Sequence, residues 1–222
     1  MDIHPELRDF PGLCRLFPLP NVVLFPHVIL PLHIFETRYR QMTQDALDSD
    51  QLVTIVQACP RDKGNPWAEP MPIPYVGCIG KITKHEQLAD GRFNVLLLGC
   101  KRVRLVREVV SPKLYRVAEG IVLEDEEPAN SDETRRADLI ALFLEVLQMR
   151  HRLDPDLSRL LQPPGILSDV IAHALELAAP LKQALLEETQ VVRRISLLFS
   201  VLQDLINEIP RSRRFPQPFS LN

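Results

Sequence analysis

The sequence predicts an α+β fold, with a barrel-like β-sheet first and a set of packed helices second. Two observations carry this reading. Up to Leu123 the apolar residues form short strand-like runs, whereas beyond Ser131 they recur at helical spacing. An almost unbroken apolar stretch, Leu16 to Tyr39, also holds Pro18, Pro20, Pro26 and Pro31. No long helix tolerates that many interior prolines, and a long central strand cannot supply their missing N–H groups.

That stretch is therefore read as short extended pieces. Val22 and Leu24 face one way and Val23 and Phe25 the other, while Val28, Leu30, Leu32 and Ile34 share a face. Pro26 and Pro31 suit bulges, kinks or a sheet edge. Glu36 to about Asp48 reads as a helix with Tyr39, Met42, Ala46 and Leu47 on its apolar side. Leu52 to Ala58 is β-branched and reads as a strand. Cys59 to Pro74 is a proline-rich loop holding the single tryptophan, Trp67. Tyr75 to Thr83 is the next strand, with Gly77 and Gly80 at points of bulging or close backbone approach.

Asp90-Gly91 between two strand-like runs signals a hairpin with a type I′ turn. Arg92 to Leu98 reads as a central strand, Gly99 as a bend, Lys101 to Val110 as its continuation, and Tyr115 to Leu123 as the last strand. The acidic segment Glu124 to Ser131 reads as a subdomain boundary. Beyond it, Ser131 or Asp132 can cap a helix whose core face is Leu139, Leu142, Phe143, Val146 and Leu147. Ser168 can cap a shorter helix, Pro180 suits the first turn of another, and Thr189 can cap a long final helix that Pro210 ends. The expected division is residues 12–124 for the β-rich part, 131–209 for the helices, and 210–222 for a disordered tail.

Composition narrows function. A net charge of -3 with no basic block argues against general nucleic-acid affinity. The N-terminus has no apolar signal segment, and no proline-free apolar run is long enough to span a bilayer, so the expected compartment is the cytoplasm. Cys14, Cys59, Cys78 and Cys100 form no C-x-x-C pair and read as thiols in a reducing environment. Gly80-Lys81-Ile82 lacks the flanking residues of a phosphate loop, and no G-x-G-x-x-G or G-x-S-x-G occurs. His85-Glu86 lacks a second histidine one helical turn on, and His27 and His33 have no third ligand in view. No catalytic residue, cofactor site or metal site is therefore expected. Lys101, Arg102, Arg104 and Arg107 read as a solvated strand face, with a phosphate-tracking stripe as the alternative.

Several motifs together closely resemble the N-terminal substrate-binding domain of Lon proteases. These are Leu16-Phe17-Pro18-Leu19, Val23-Leu24-Phe25-Pro26, Leu30-Pro31-Leu32, Ile34-Phe35-Glu36 and Arg38-Tyr39. The likeness continues through Val76-Gly77, Asp90-Gly91, Val95 to Gly99 and Arg102-Val103-Arg104, and loosely in Ser168 to Ala172. It is strongest to the small stand-alone bacterial proteins built of that domain alone. The resemblance implies a PUA-like β-barrel subdomain followed by an α-helical bundle subdomain. It implies substrate recognition without the ATPase and serine–lysine peptidase modules. The expected function is thus a non-catalytic protein- or peptide-binding module, its partners being proteins or exposed polypeptide segments, with a protease or chaperone as a candidate partner. The alternative is a PUA-like protein that binds RNA or a small molecule.

The candidate binding residues are His33, Glu36, Arg38, Tyr39 and Trp67, where an apolar strand turns into a helix near the proline-rich loop. One account makes this corner a shallow groove for apolar client segments. The other has Glu36 capping backbone N–H groups and Arg38 solvated. Phe35 belongs to the core in both.

Overall fold

In a computed structural model of the chain, described for residues 7, 10–59, 70–128, 133–150 and 160–214 (backbone only from 208), the order is strand-rich then helical. The strands are β1 (Leu13–Pro20), β2 (Ile29–Ile34), β3 (Leu52–Ala58), β4 (Val76–Gln87), β5 (Phe93–Val109) and β6 (Val117–Leu123). Helix α1 (Thr37–Leu47) lies between β2 and β3. After β6 come α2 (Glu133–Met149), α3 (Pro164–Ala174), α4 (Ala179–Glu187) and α5 (Val191–Arg214).

The sheet runs β2-β5-β4-β3-β1-β6, and β6 pairs again with β5. Five strands therefore close a ring, as the barrel expectation required, and β2 is left outside it as an edge strand. Only β1 and β3 pair in parallel; the other pairings are antiparallel. Closure depends on the length of β5. Its first half, to Leu98, pairs with β2, and its second half, from Arg102, pairs with β6. Gly99 does not end the strand. A Cβ there would lie 2.0 Å from the Phe25 carbonyl oxygen, so the bare backbone lets the Phe25–Val28 segment lie against it. Two backbone bonds of 2.8 Å, His27 N–H to Gly99 O and Gly99 N–H to Val28 O, fix that contact.

Each ring strand contributes to an inner cluster that includes Leu16, Val56, Ile79, Val103 and Ala118. Alternate residues face outward into a larger cluster covered by α1 and the helices, including Phe17, Ile55, Cys78, Met42, Phe143 and Leu198. Strand β3 is buried along its whole length because both of its faces are covered. Pro18 and Pro20 fit in β1 because β6 pairs only with Leu13 to Arg15, leaving one side of the strand's second half unpaired.

Several local expectations are corrected. Helix α1 starts at Thr37, with Glu36 at the N-cap and making no side-chain cap bond; its carbonyl accepts the Arg40 N–H at 2.9 Å. The β4–β5 hairpin has positive φ at Gly91 but not at Asp90, so its turn is not type I′. Ser168 lies inside α3, not at its start; it is buried, and its hydroxyl donates to Gly165 O at 2.7 Å. Helix α5 continues past Pro210 to Arg214. The proposed caps Ser131 and Asp132 lie outside the described residues.

Arg102 is not part of a solvated face. It is 2% exposed and reaches from β5 into the helical part, where its Nε donates to Leu186 O at 2.8 Å. The acidic segment after β6 is likewise tied down: Glu126 N–H donates to Thr189 O at 2.9 Å, and Asp125 accepts Arg194 Nη2 at 2.5 Å. Barrel and helices are therefore pinned together by charge as well as by apolar packing.

Candidate functional site

Beyond the closed ring, β2, the first half of β5 and the second half of β4 form a three-stranded extension. The register sets its outer face as three cross-strand rows: Ile29–Leu98–Lys81, Pro31–Leu96–Lys84 and His33–Asn94–Glu86. The opposite face is core, with Ile34, Ile82, Val95 and Leu97 buried in the larger cluster. This alternation follows from the period of two along each strand.

The outer face is apolar near the barrel and polar at the tip. A shallow cavity of about 480 Å³ opens on it, lined by residues that include Pro31, His33, Lys84 and Leu96. Ile29 is 43% exposed, and Phe35, just past the strand, is 62% exposed. The rings of His33 and Phe35 stack with centroids 6.3 Å apart. Strand β2 pairs with β5 alone, so its other edge has no strand neighbour among the described residues. Pro31 has no N–H to offer, which suits it to this unpaired edge and blunts the edge against self-pairing.

At the tip, the polar groups form a directed chain. Arg92 can only donate, so His33 Nε2 accepts at 3.4 Å and Nδ1–H donates to Asn94 Oδ1 at 2.8 Å. Asn94 Nδ2 then donates to Glu86 at 3.1 Å. Hydrogen bonds from the Arg92 side chain and backbone hold the Asp90 carboxyl down at about 2. His33 is thereby oriented as one wall of the face rather than swinging in solvent.

The five candidate residues do not form one groove. His33 lies on the outer face described above. Glu36 and Arg38 pair with each other at 3.0 Å at the start of α1, and the Arg38 guanidinium lies 4.6 Å over the Tyr39 ring. Tyr39 is 5% exposed and packs on Phe17 with ring centroids 4.2 Å apart, so it is a core residue. Arg38 and Tyr39 border a separate hollow of about 300 Å³, next to Pro18 and Tyr115. Trp67 lies outside the described residues. Phe35, expected in the core, is on the surface because Ile34 ends the inward row and Phe35 follows on the other side.

Sequence reading missed Ile29, Phe35 and Leu96 as surface residues. The signal that could have found them is Pro31: a proline in the middle of a strand marks an edge, and its row neighbours share its outward side. Among the described residues no group of histidine, cysteine or carboxylate side chains is arranged to hold a metal ion. Burial pushes the Cys14 thiol up to about 11, unsuited to nucleophilic work. No helix among the described residues is long and apolar enough to cross a membrane.

Comparison with known proteins agrees with this architecture. Residues 14–204 match the family described as the ATP-dependent protease La (LON) substrate-binding domain. Similar curated relatives include the Lon protease of Xanthomonas oryzae pv. oryzae, 29% identical over 92% of this chain and 24% of its own. The Lon protease of Geobacter metallireducens is 29% identical over 86% of this chain and 24% of its own. The chain thus spans about a quarter of the length of these relatives. Among solved structures, the N-terminal domain of Mycobacterium avium complex Lon protease aligns over 86% of this chain and 98% of its own, with TM-score 0.64 at 22% identity. A Lon N-terminal domain protein from Xanthomonas campestris aligns over 85% and 97%, with TM-score 0.62 at 22% identity. These structural likenesses establish the α+β fold, with its barrel and following helices. With its family match running from β1 into α5, the chain belongs to the LON substrate-binding domain family.

Proposed function

We propose that this chain is a non-catalytic polypeptide-binding module that takes extended, apolar segments of other proteins on the outer face of the β2–β5–β4 extension. The observation that carries the reading is the exposed apolar pair Ile29 and Pro31 on an edge strand with exposed Phe35 just past it, continued by half-buried Leu96 on the neighbouring strand. Such an edge offers backbone groups to an extended segment only on either side of Pro31, so apolar side chains that grip alternate residues supply most of the hold. The family's description as substrate-binding domain supports the same reading. The sequence has no phosphate loop and no nucleophile elbow, in keeping with binding rather than turnover. The partners are exposed polypeptide segments, whether free or presented by a protease or chaperone, and the setting is the cytoplasm.

A face open enough to accept many sequences fits none closely, so affinities on the order of micromolar to tens of micromolar are expected. The test is binding of a reduced, carboxymethylated model protein, followed by anisotropy. Parent protein should bind it, and an Ile29→Ser, Phe35→Ser double variant should bind at least about fivefold more weakly, with the melting temperature nearly unchanged. Equal binding by that folded double variant would refute the assignment of this face.

A further inference from the structure

Most cations of the barrel have an acidic partner: Arg15 pairs with Asp50, Arg92 with Asp90, Lys101 with Glu124, Arg107 with Glu119 and Arg116 with Glu108. Among the described residues Lys81, Lys84 and Arg104 are in no ion pair; Arg104 lies on the ring, opposite Val76 and Ile121, whereas both lysines stand on the outer face of the extension. Their register is informative. Lys81 is directly opposite Leu98, and Lys84 directly opposite Leu96. Leu98 and Leu96 are in turn opposite Ile29 and Pro31. Two successive rows therefore read apolar, apolar, lysine.

Neighbouring strands are about 4.8 Å apart, so the lysine row runs parallel to β2 at about 10 Å. A lysine stem lies along apolar surface while its ammonium stays at the rim. The result is an apolar strip with positive charge along one side and the hydrogen-bonded His33–Asn94–Glu86 row closing one end. Glu86 is engaged by Asn94, and it stands one row beyond the two lysines.

We propose that this face selects, among extended apolar segments, those with an acidic side chain beside the apolar residue, Lys81 and Lys84 being the groups that receive it. The proposal rests on the reading of the face as a polypeptide-binding site and adds the chemistry of the preferred occupant. Charge complementarity commits it to a peptide rather than RNA. Among the described residues the strip offers the His33 and Phe35 rings, with His85 at the cavity, and no run of aromatic rings for stacking bases; Glu86 sits at its end, and the chain as a whole carries a net charge of -3.

The experiment compares three fluorescent peptides with one apolar core, flanked by Glu, Gln or Lys. Exposed ion pairs change affinity by about 1.4- to 5-fold each, so the Glu peptide should bind about 3- to 10-fold more tightly than the Lys peptide at low ionic strength. The difference should shrink in roughly 0.5 M salt, where screening is strong. A Lys81→Glu, Lys84→Glu double variant should reverse the order, and Ile29→Ser, Phe35→Ser should weaken all three peptides. Three equal affinities, all weakened by Ile29→Ser, Phe35→Ser, would overturn acid selection and leave the binding face standing. No binding of any peptide would overturn both. A single-stranded RNA that displaces the Glu peptide and is itself lost on Lys81→Glu, Lys84→Glu would overturn the proposal in favour of phosphate recognition.

Discussion

Arg102 of β5 and Asp169 of α3 form a two-pronged ion pair, with Nη1 to Oδ2 at 3.0 Å and Nη2 to Oδ1 at 2.5 Å. Both side chains are almost fully buried, at 2% and 1% exposure. The pair joins the barrel to the helices across 67 residues of sequence. Arg194 completes the arrangement, its Nε donating to Ser168 Oγ at 2.8 Å and its Nη1 to Glu188 O at 2.7 Å. Asp125 lies between the two guanidinium groups, 3.2 Å from Arg102 and 2.5 Å from Arg194.

Removing one member of such a group leaves a buried charge without its counterpart. Asp169→Ala should therefore destabilise the protein by about 3–5 kcal/mol. Substituting the pair together, as Arg102→Met with Asp169→Leu, should cost less than the two single changes summed, because no orphan charge is left between them. Urea unfolding of the two single variants and the double variant measures the coupling. Strict additivity would show that the pair does not act as a unit.

The start of α1 gives a second prediction. Tyr39→Ala removes a core ring packed on Phe17 and should cost about 3–5 kcal/mol. Phe35→Ala removes a ring that is 62% exposed and should change stability by only about 0.5 kcal/mol. This ordering reverses what the sequence suggests, and thermal unfolding of the two variants decides it.

That reversal shows where sequence reasoning stops. The barrel was legible because its strands are short, apolar runs broken by prolines and glycines, such as the β-branched Leu52 to Ala58 and Arg92 to Leu98, which is apolar on both faces. Phe35 and Tyr39 were not, because their burial turns on the residue at which extended backbone becomes helix. Ile34 is the last inward residue of β2 and α1 starts only at Thr37, so Phe35 falls on the outward side between them. Arg102 was hidden for another reason. An arginine among Lys101, Arg104 and Arg107 reads as surface, and the acid that buries it comes from α3. Ser168-Asp169 had been noticed as a motif, but with no sign of what Asp169 meets. Of the binding face, His33 was found, while Ile29 and Leu96 were concealed within runs that read as core.

Gly99 gives a third prediction. Its Cβ would stand 2.0 Å from the carbonyl oxygen of Phe25 and 2.9 Å from the carbonyl carbon, both backbone atoms that cannot turn aside. Gly99→Ala should push the Phe25–Val28 segment off β5 and cost at least about 1–3 kcal/mol. Amide hydrogen exchange should then speed up at His27, whose N–H donates to Gly99 O. Unchanged exchange at His27 would mean that the segment is not held there.

Glu127 sets a pH dependence. Burial, then the neighbouring Asp125 carboxylate, push its carboxyl above the ordinary glutamate range, against the opposing pull of Arg194. An acid with a raised pKa in the folded state keeps its proton more readily there. Its contribution is full below the unfolded value and is lost as pH rises through the folded one. Relative to Glu127→Gln, the parent should lose stability as pH rises from the acid side through that window. Urea midpoints of both proteins across the range read the effect, and parallel profiles would rule it out.

The last prediction concerns the connection between barrel and helices. An acidic, proline-containing segment such as Glu124–Pro128 looks open to proteolysis, and Glu124 and Glu126 are sites for a glutamate-specific protease. The backbone there is nevertheless engaged. Glu126 N–H donates to Thr189 O at 2.9 Å, and Val191 N–H donates back to Glu126 O at 3.2 Å, so the segment pairs with the α4–α5 turn. Asp125 holds Arg194 and Arg102 from the same stretch. Cleavage needs several residues of backbone to open at once, and here opening would break the charge group that joins the two parts. Native protein should therefore resist cutting after Glu124 and Glu126. In Asp125→Ala, two buried guanidinium groups lose an anion, the segment opens more often, and cleavage there should quicken at least about tenfold. That factor corresponds to about 1.4 kcal/mol in the opening equilibrium, well within the cost of breaking a buried charge pair. Mass spectrometry of the first fragments distinguishes the outcomes. Early cutting after Glu126 in the parent itself would show that this connection is an open linker and not a joint.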